Sequence, residues 1–286
     1  MIKYYTRACN FFYGKQAKSQ IKKKKALPLC GNNYFAFSHL EIFKRQEKKI
    51  TSNLIHIDQI NNLNESLKKC IKKDLKKITS KRKNFIKNVN FSVPSIMGIL
   101  NLTPDSFSDG GKFLKNHKAY KQIRKLIKDK ADIIDLGGES TRPGSKDVDS
   151  NVEWGRIKNK IKYLSKKNCF ISLDTRKSLI IEKSLDYKID LINDISGLNY
   201  DKEILNILKK YKIPFVLNHI QGTPRNMQKR PKYNNVLLDI YDYFEKKLKL
   251  IRQHKIKHSN IILDPGIGFG KNLKHNITIL NQISIF

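Results

Sequence analysis

The chain has 286 residues, enough for one large α/β domain or two unequal ones. Its 58 Lys and Arg outnumber 25 Asp and Glu to give a formal charge of +33. The basic residues are spread through a Lys-, Ile- and Asn-rich composition without interleaved aromatics or a finger, zipper or RNA-recognition signature, so a solvated basic surface outranks a nucleic-acid groove.

Four widely separated cysteines form no close pair, which argues against a zinc knuckle or redox dithiol and suits a reducing cytosol. No apolar run approaches the roughly 18 residues that span a bilayer. The N-terminus lacks acidic residues before Glu41, as organelle transit peptides do, but lysine dominates over arginine. Residues 1–88 read as a basic, partly helical extension: a tetralysine at Lys22 to Lys25, an apolar and aromatic patch ALPLCGNNYFAFSHLEIF, then a helix. In that helix Leu63, Leu67, Cys70, Ile71, Leu75 and Ile78 recur at helical spacing beneath a lysine-rich outer face.

From Val89 to Phe286 the pattern changes to short apolar runs alternating with basic amphipathic stretches, the signature of βα units around a parallel sheet. The runs SIMGIL, DIIDL, CFISL, DLIN, PFVLN and NIILD predict strands over 96–100, 132–136, 169–173, 190–193, 214–218 and 261–264. Each exits in polar residues: Asn101; Asp135 with Glu139 beyond; Asp174; Asn193 and Asp194; Asn218 and His219; Asp264. In an α/β barrel such ends converge on one face, and that face carries the active site.

The loop LTPDSFSDGG after Asn101 suits either a turn or a mobile lid. In DIIDLGGESTRPGS, Gly137 and Gly138 allow close backbone approach, and Arg142 can grip a phosphate with Thr141 adding a neutral donor, unless Arg142 instead pairs with Glu139. Asp174, Asn193 and Asp264 could read the donor edge of an aminopyrimidinone ring or simply cap helices. DPGIGFGK matches neither the P-loop nor the dinucleotide fingerprint; its Lys271 reads as exposed and His219 as a pocket-wall residue.

These motifs, MGILNLTPDSFSDGG, DLGGESTRPGS, SLDTRKS, LINDISG, NHIQGTP and DPGIGFGK, in this order, resemble dihydropteroate synthase over Met97 to Lys271. The first two are the specific ones; the later ones are shared with pterin-binding methyltransferase domains. The resemblance implies a (β/α)₈ barrel, about six of whose βα strands occur here. It also implies condensation of (hydroxymethyl)dihydropterin diphosphate with para-aminobenzoate, and Mg²⁺ as the cofactor. By matching motifs, Asp174, Asn193 and Asp264 would hold the pterin and Asn101 the Mg²⁺. Thr141 and Arg142 would contact the leaving group and the incoming amine, Pro143 and Phe269 would shape the aminobenzoate pocket, and Asp105 would stabilise the cationic intermediate. The implied partners are small molecules, with no nucleic acid or membrane and a homodimer left open; the implied location is the cytoplasm. Asn218 departs from the methionine usual in its motif. The family's later lysine and arginine/histidine motifs have no match, so residues 1–286 alone are expected to turn over little substrate. A noncatalytic pterin-binding fragment and a methyltransferase domain are the competing readings.

Overall fold

The protein is described by a computed structural model that covers residues 2–81, 89, 93–103 and 112–286. Its contacts form two compact units: Met1–Lys83 with Tyr233–Tyr241 and Thr278–Phe286, and Asn84–Lys232 with Asp242–Ile277.

The first unit contains β1 (Ile2–Tyr13), α1 (Gly14–Lys22), β2 (Leu27–Leu29), β3 (Asn32–Gln46), β4 (Lys49–His56) and α2 (Glu65–Thr79). β3 pairs antiparallel with β1 on one side and with β2 and β4 on the other. Cys30 and Gly31, both at positive φ, turn β2 into β3, as a tight hairpin requires. The expected helix is present, with Asn64 capping it through the Leu67 N–H. Its seam of Leu67, Ile71, Leu75 and Ile78 packs on Ala8, Phe37, Leu40, Ile42 and Ile55 of the sheet. The segment read as an extension with one helix is therefore largely strand. Its period was masked because β3 buries the consecutive residues Ala36, Phe37 and Ser38, which breaks the alternation that sequence reading depends on.

Further along the chain the elements alternate: β5 (Met97–Asn101), α3 (Lys112–Lys128), β6 (Ile133–Gly137), α4 (Ser150–Leu164), β7 (Phe170–Asp174) and α5 (Ser178–Ser184). They continue with β8 (Leu191–Asp194), α6 (Ile204–Tyr211), β9 (Phe215–Asn218), α7 (Val236–Gln253), β10 (Ile261–Asp264) and α8 (Leu273–Asn281). The six strands form one parallel sheet in the order β10-β9-β8-β7-β6-β5, each within a residue or two of its expected position. Successive side chains alternate between sheet faces. On one face Met97, Ile133, Phe170, Leu191, Val216 and Ile262 join Val89 in an apolar layer. The other face carries residues such as Gly98, where a Cβ would lie 2.7 Å from Leu126 of α3, so the helix sits directly against the strand.

Candidate active site

Counting by twos from the apolar layer to the C-terminal strand ends reaches Asn101, Gly137, Asp174, Asn193, Asn218 and Asp264, so these share one face. The first four are also register neighbours: Asn101 lies beside Gly137, Gly137 beside Asp174, and Asp174 beside Asn193. Gly137 is what lets the row converge. A Cβ there would lie 3.0 Å from Asp174 Oδ2 and 3.1 Å from Asn101 Oδ1, so any larger residue would push the two oxygens apart. Asp194, one residue beyond Asn193, faces the opposite way and accepts from Ser196 N and Leu198 N at 2.8 and 2.7 Å, a local turn rather than a site.

Beneath the row, Asn193 Nδ2 donates to Asp135 Oδ2 at 3.0 Å. This fixes the amide's orientation and turns its carbonyl oxygen away from Asp135. Burial pushes the Asp135 carboxyl up, opposed by the hydrogen bond from the Asn193 amide. Asp174 is raised well above the usual carboxylate range by burial and by the neighbouring Asp135, Glu153, Asp194 and Glu139. Asn101 Oδ1, Asp135 Oδ1 and Asn218 Oδ1 are buried without a hydrogen-bond partner. Such atoms are rare in folded proteins because each costs about 1–3 kcal/mol. Here three of them gather on the face that carries Asp174 and Asp264.

The loop after β6 is held by buried charges. Glu139 accepts from Arg176 Nε at 2.9 Å and Nη2 at 3.1 Å, from Lys177 Nζ at 3.3 Å and from Val148 N at 2.7 Å. Lys177 also pairs at 2.6 Å with Glu153 of α4, which is fully buried and accepts from Thr175 Oγ1 at 2.7 Å. Burial would raise Glu139, but Arg176 and Lys177 outweigh it and lower its pKa. The partner of Glu139 is thus Arg176, not Arg142. Thr141 is half-buried, whereas Arg142 and Pro143 are exposed at the rim. Gly144 N donates to Pro224 O at 3.0 Å, tying this loop to the one after β9. Asp105 lies outside the described residues.

At the last strand Asp264 Oδ1 accepts from Gly266 N at 2.7 Å, and a Cβ on Gly266 would fall 2.1 Å from His219 O and 2.6 Å from Asn218 Oδ1. Gly266 is at positive φ as well, so glycine is required twice over. Phe269 is half-buried. Lys271, expected to be exposed, is 2% exposed. Its Nζ bonds His219 Nδ1 at 3.0 Å, His219 O at 3.3 Å and Phe269 O at 2.8 Å. Burial lowers its pKa to about 7 against the pull of Asp264, and burial with the Lys271 charge lowers His219 to about 3. The glycines around Lys271 were the overlooked signal: backbones that approach this closely seal the side chain between them.

The sequence reading also gave no role to Arg176, Lys177 or Glu153, and noted Asp135 only as a strand exit. Taken together, the face offers oxygen acceptors of both amide and carboxyl type, one carboxyl already inclined to hold a proton, and a peripheral guanidinium. That set can read a flat, donor-rich heterocycle. The unpartnered amide oxygen of Asn101 suits a hard, oxygen-seeking cation. Among the described residues no cluster of three or more His, Cys, Asp or Glu could hold a metal.

Residues 97–286 match the family described as pterin binding enzymes. The chain is 39% identical over 201 residues to a dihydropteroate synthase of Haemophilus influenzae, covering 70% of this chain and 73% of that one. It also superposes on the Yersinia pestis dihydropteroate synthase crystallised with a sulfonamide drug, with a TM-score of 0.65, 36% identity and coverage of 70% and 74%. The Burkholderia cenocepacia dihydropteroate synthase complexed with 7,8-dihydropteroate gives a TM-score of 0.60, 30% identity and coverage of 69% and 67%.

Proposed function

Because the chain belongs to the pterin-binding enzymes and, among them, to the dihydropteroate synthases, we propose that its strand-end face binds (hydroxymethyl)dihydropterin diphosphate and joins it to para-aminobenzoate. The observation that carries the reading is the register row Asn101–Gly137–Asp174–Asn193, completed on the same face by Asp264. Asp174, Asn193 and Asp264 take the ring: carboxylates accept from its N–H groups, and the Asn193 amide, already committed as donor to Asp135, presents its carbonyl oxygen. A Burkholderia relative crystallised with dihydropteroate supports this ligand class.

The reaction breaks the bond between the methylene carbon and the diphosphate oxygen. The electron-rich dihydropterin stabilises the resulting cation, the diphosphate departs with the electron pair, and the amine of aminobenzoate attacks the methylene and then loses a proton. Arg142 and Thr141 neutralise and hydrogen-bond the departing oxyanion from the rim. Asp105 stabilises the cation, and Pro143 and Phe269 flank the aminobenzoate ring. Asn101, whose amide oxygen is buried without a partner, would hold Mg²⁺, and the ion would supply further neutralisation of the leaving group. Four free thiols and the absence, among the described residues, of a helix fit to cross a membrane suit a cytoplasmic enzyme. The test is product formation from labelled para-aminobenzoate, with Mg²⁺ titrated, in the wild type and in Asn193→Ala. A wild type that neither binds a pterin nor forms dihydropteroate would overturn the assignment.

A further inference from the structure

The clamp at Lys271 has no part in the reaction as described, yet its side chain is buried between the loops that follow β9 and β10. An ammonium has three hydrogens, and here it meets three acceptors: His219 Nδ1, His219 O and Phe269 O. The acceptors come from two different loops. Phe269 belongs to the glycine turn after β10, and His219 follows the last residue of β9. Between them the backbones touch: a Cβ on Gly270 would lie 2.7 Å from Gln221 O, and the Gly266 contact with His219 O is closer still. Two carbonyl dipoles aimed at one point repel each other unless a cation sits there, so the lysine makes this loop arrangement tenable.

The contact has a second consequence. A protonated Lys271 must donate here, which requires Nδ1 of His219 to accept and puts the ring proton on Nε2. The ring stands edge-on to Tyr243, 4.8 Å between centroids, and the Tyr243 hydroxyl reaches Asn218 O at 3.1 Å and Gly197 O at 3.2 Å. One lysine thus anchors a chain of contacts through the loops that follow β10, β9 and β8. Asp264, Asn218 and Asn193 stand at the ends of those same strands.

Resting on the pterin reading above, we propose that Lys271 is a positioning residue for the pterin: its ammonium locks the turn after β10 onto the end of β9 and so sets the spacing of Asp264 from Asn218 and Asn193.

The experiment uses the full chain and 6-hydroxymethylpterin as the probe. In Lys271→Met, the pterin Kd by calorimetry is expected to rise at least tenfold, and Lys271→Gln, which keeps a donor for one carbonyl, should fall between it and the wild type. Nitrogen NMR of the free wild type should show His219 protonated on Nε2 alone, and Lys271→Met should lose that fixed tautomer. A folded Lys271→Met with a Kd within twofold of wild type overturns the proposal, as does a wild-type His219 protonated on Nδ1. Should Lys271→Met not fold, Lys271→Gln and the wild-type spectrum decide. A wild type that binds no pterin but shows the Nε2 tautomer would sink the ligand assignment while leaving the clamp in place.

Discussion

Replacing Arg176 with methionine removes the main partner of a carboxylate that is itself out of water. The Arg176 and Glu139 side chains are 6% and 9% exposed. Breaking such a pair from one side costs about 3–5 kcal/mol, because the remaining charge stays buried. The lower end applies here, since Lys177 Nζ at 3.3 Å and Val148 N at 2.7 Å still serve Glu139. The second carboxylate on Arg176, Asp147, is 64% exposed and adds little. Stacking of the guanidinium over Tyr200, 4.1 Å from the ring centroid, adds about 0.5–1 kcal/mol. A total near 3–4 kcal/mol, at roughly 2–4 °C per kcal/mol for a domain of this size, predicts a fall in Tm of about 6–15 °C. The double variant Arg176→Met/Glu139→Gln should regain part of that loss, because the stranded charge is gone and Lys177 keeps Glu153. Thermal melts of the three proteins at neutral pH check this. A drop below about 2 °C, or a double variant no better than the single one, would show that Glu139 is not a buried charge held by Arg176.

Glu139 also gives the network an acid limit. Its folded pKa is lowered, so its contribution is full above the unfolded value of about 4 and is lost as pH falls further; Glu139→Gln should flatten that part of the stability profile in acid melts. Asp174 has the opposite sign. Its folded pKa is raised, so its ionisation weighs against folding only as pH climbs past about 4, and Asp174→Asn should match or exceed the wild-type Tm at pH 7 while losing at least tenfold in pterin affinity by calorimetry. Gly137→Ala, whose Cβ would crowd Asp174 Oδ2 and Asn101 Oδ1, should weaken pterin binding and raise the Mg²⁺ needed for half-maximal activity in a metal titration. Asp264→Ala should cost about 1–3 kcal/mol of pterin affinity, measured by the same calorimetry.

The six parallel strands were legible because each is a short apolar run closed by a polar residue, and the four central ones, β6 to β9, are buried along almost their whole length, which can hardly be written otherwise. The site row was legible for the same reason: Asn101, Asp174, Asn193 and Asp264 interrupt those runs at the C-terminal end, where a packing residue would otherwise stand. What stayed hidden depends on partners distant in sequence. Arg176 and Lys177 look like surface residues next to Asp174, and only the fold brings Glu139, 37 and 38 positions earlier, against them. Lys271 looked exposed because a lysine after glycines has no local reason to be buried; its acceptors on His219 lie 52 positions away. The first unit's sheet was missed because β3 buries adjacent residues, so no simple period survives.

The distribution of hydrogen bonds separates scaffold from site more sharply than residue type does. Glu139, Glu153, Arg176 and Lys177 are charged and buried, and each is matched several times over, so mutating any of them should register first in stability. Asn101, Asp135 and Asn218, two amides and a carboxyl, instead each keep a buried oxygen without a partner. Natural folds tolerate such atoms at a cost of about 1–3 kcal/mol each, and three on one face is a cost that packing alone does not explain. A ligand with several N–H donors would repay that cost on binding, and the raised carboxyl of Asp174 would then have to give up its proton to accept. Pterin binding should therefore release a proton wherever Asp174 is protonated in the free protein. Calorimetry in buffers of differing ionisation enthalpy, repeated across the pH range in which Asp174 titrates, measures that number directly, and a heat independent of the buffer at every pH would show that the ring does not draw a proton from Asp174 and refute its role as an acceptor.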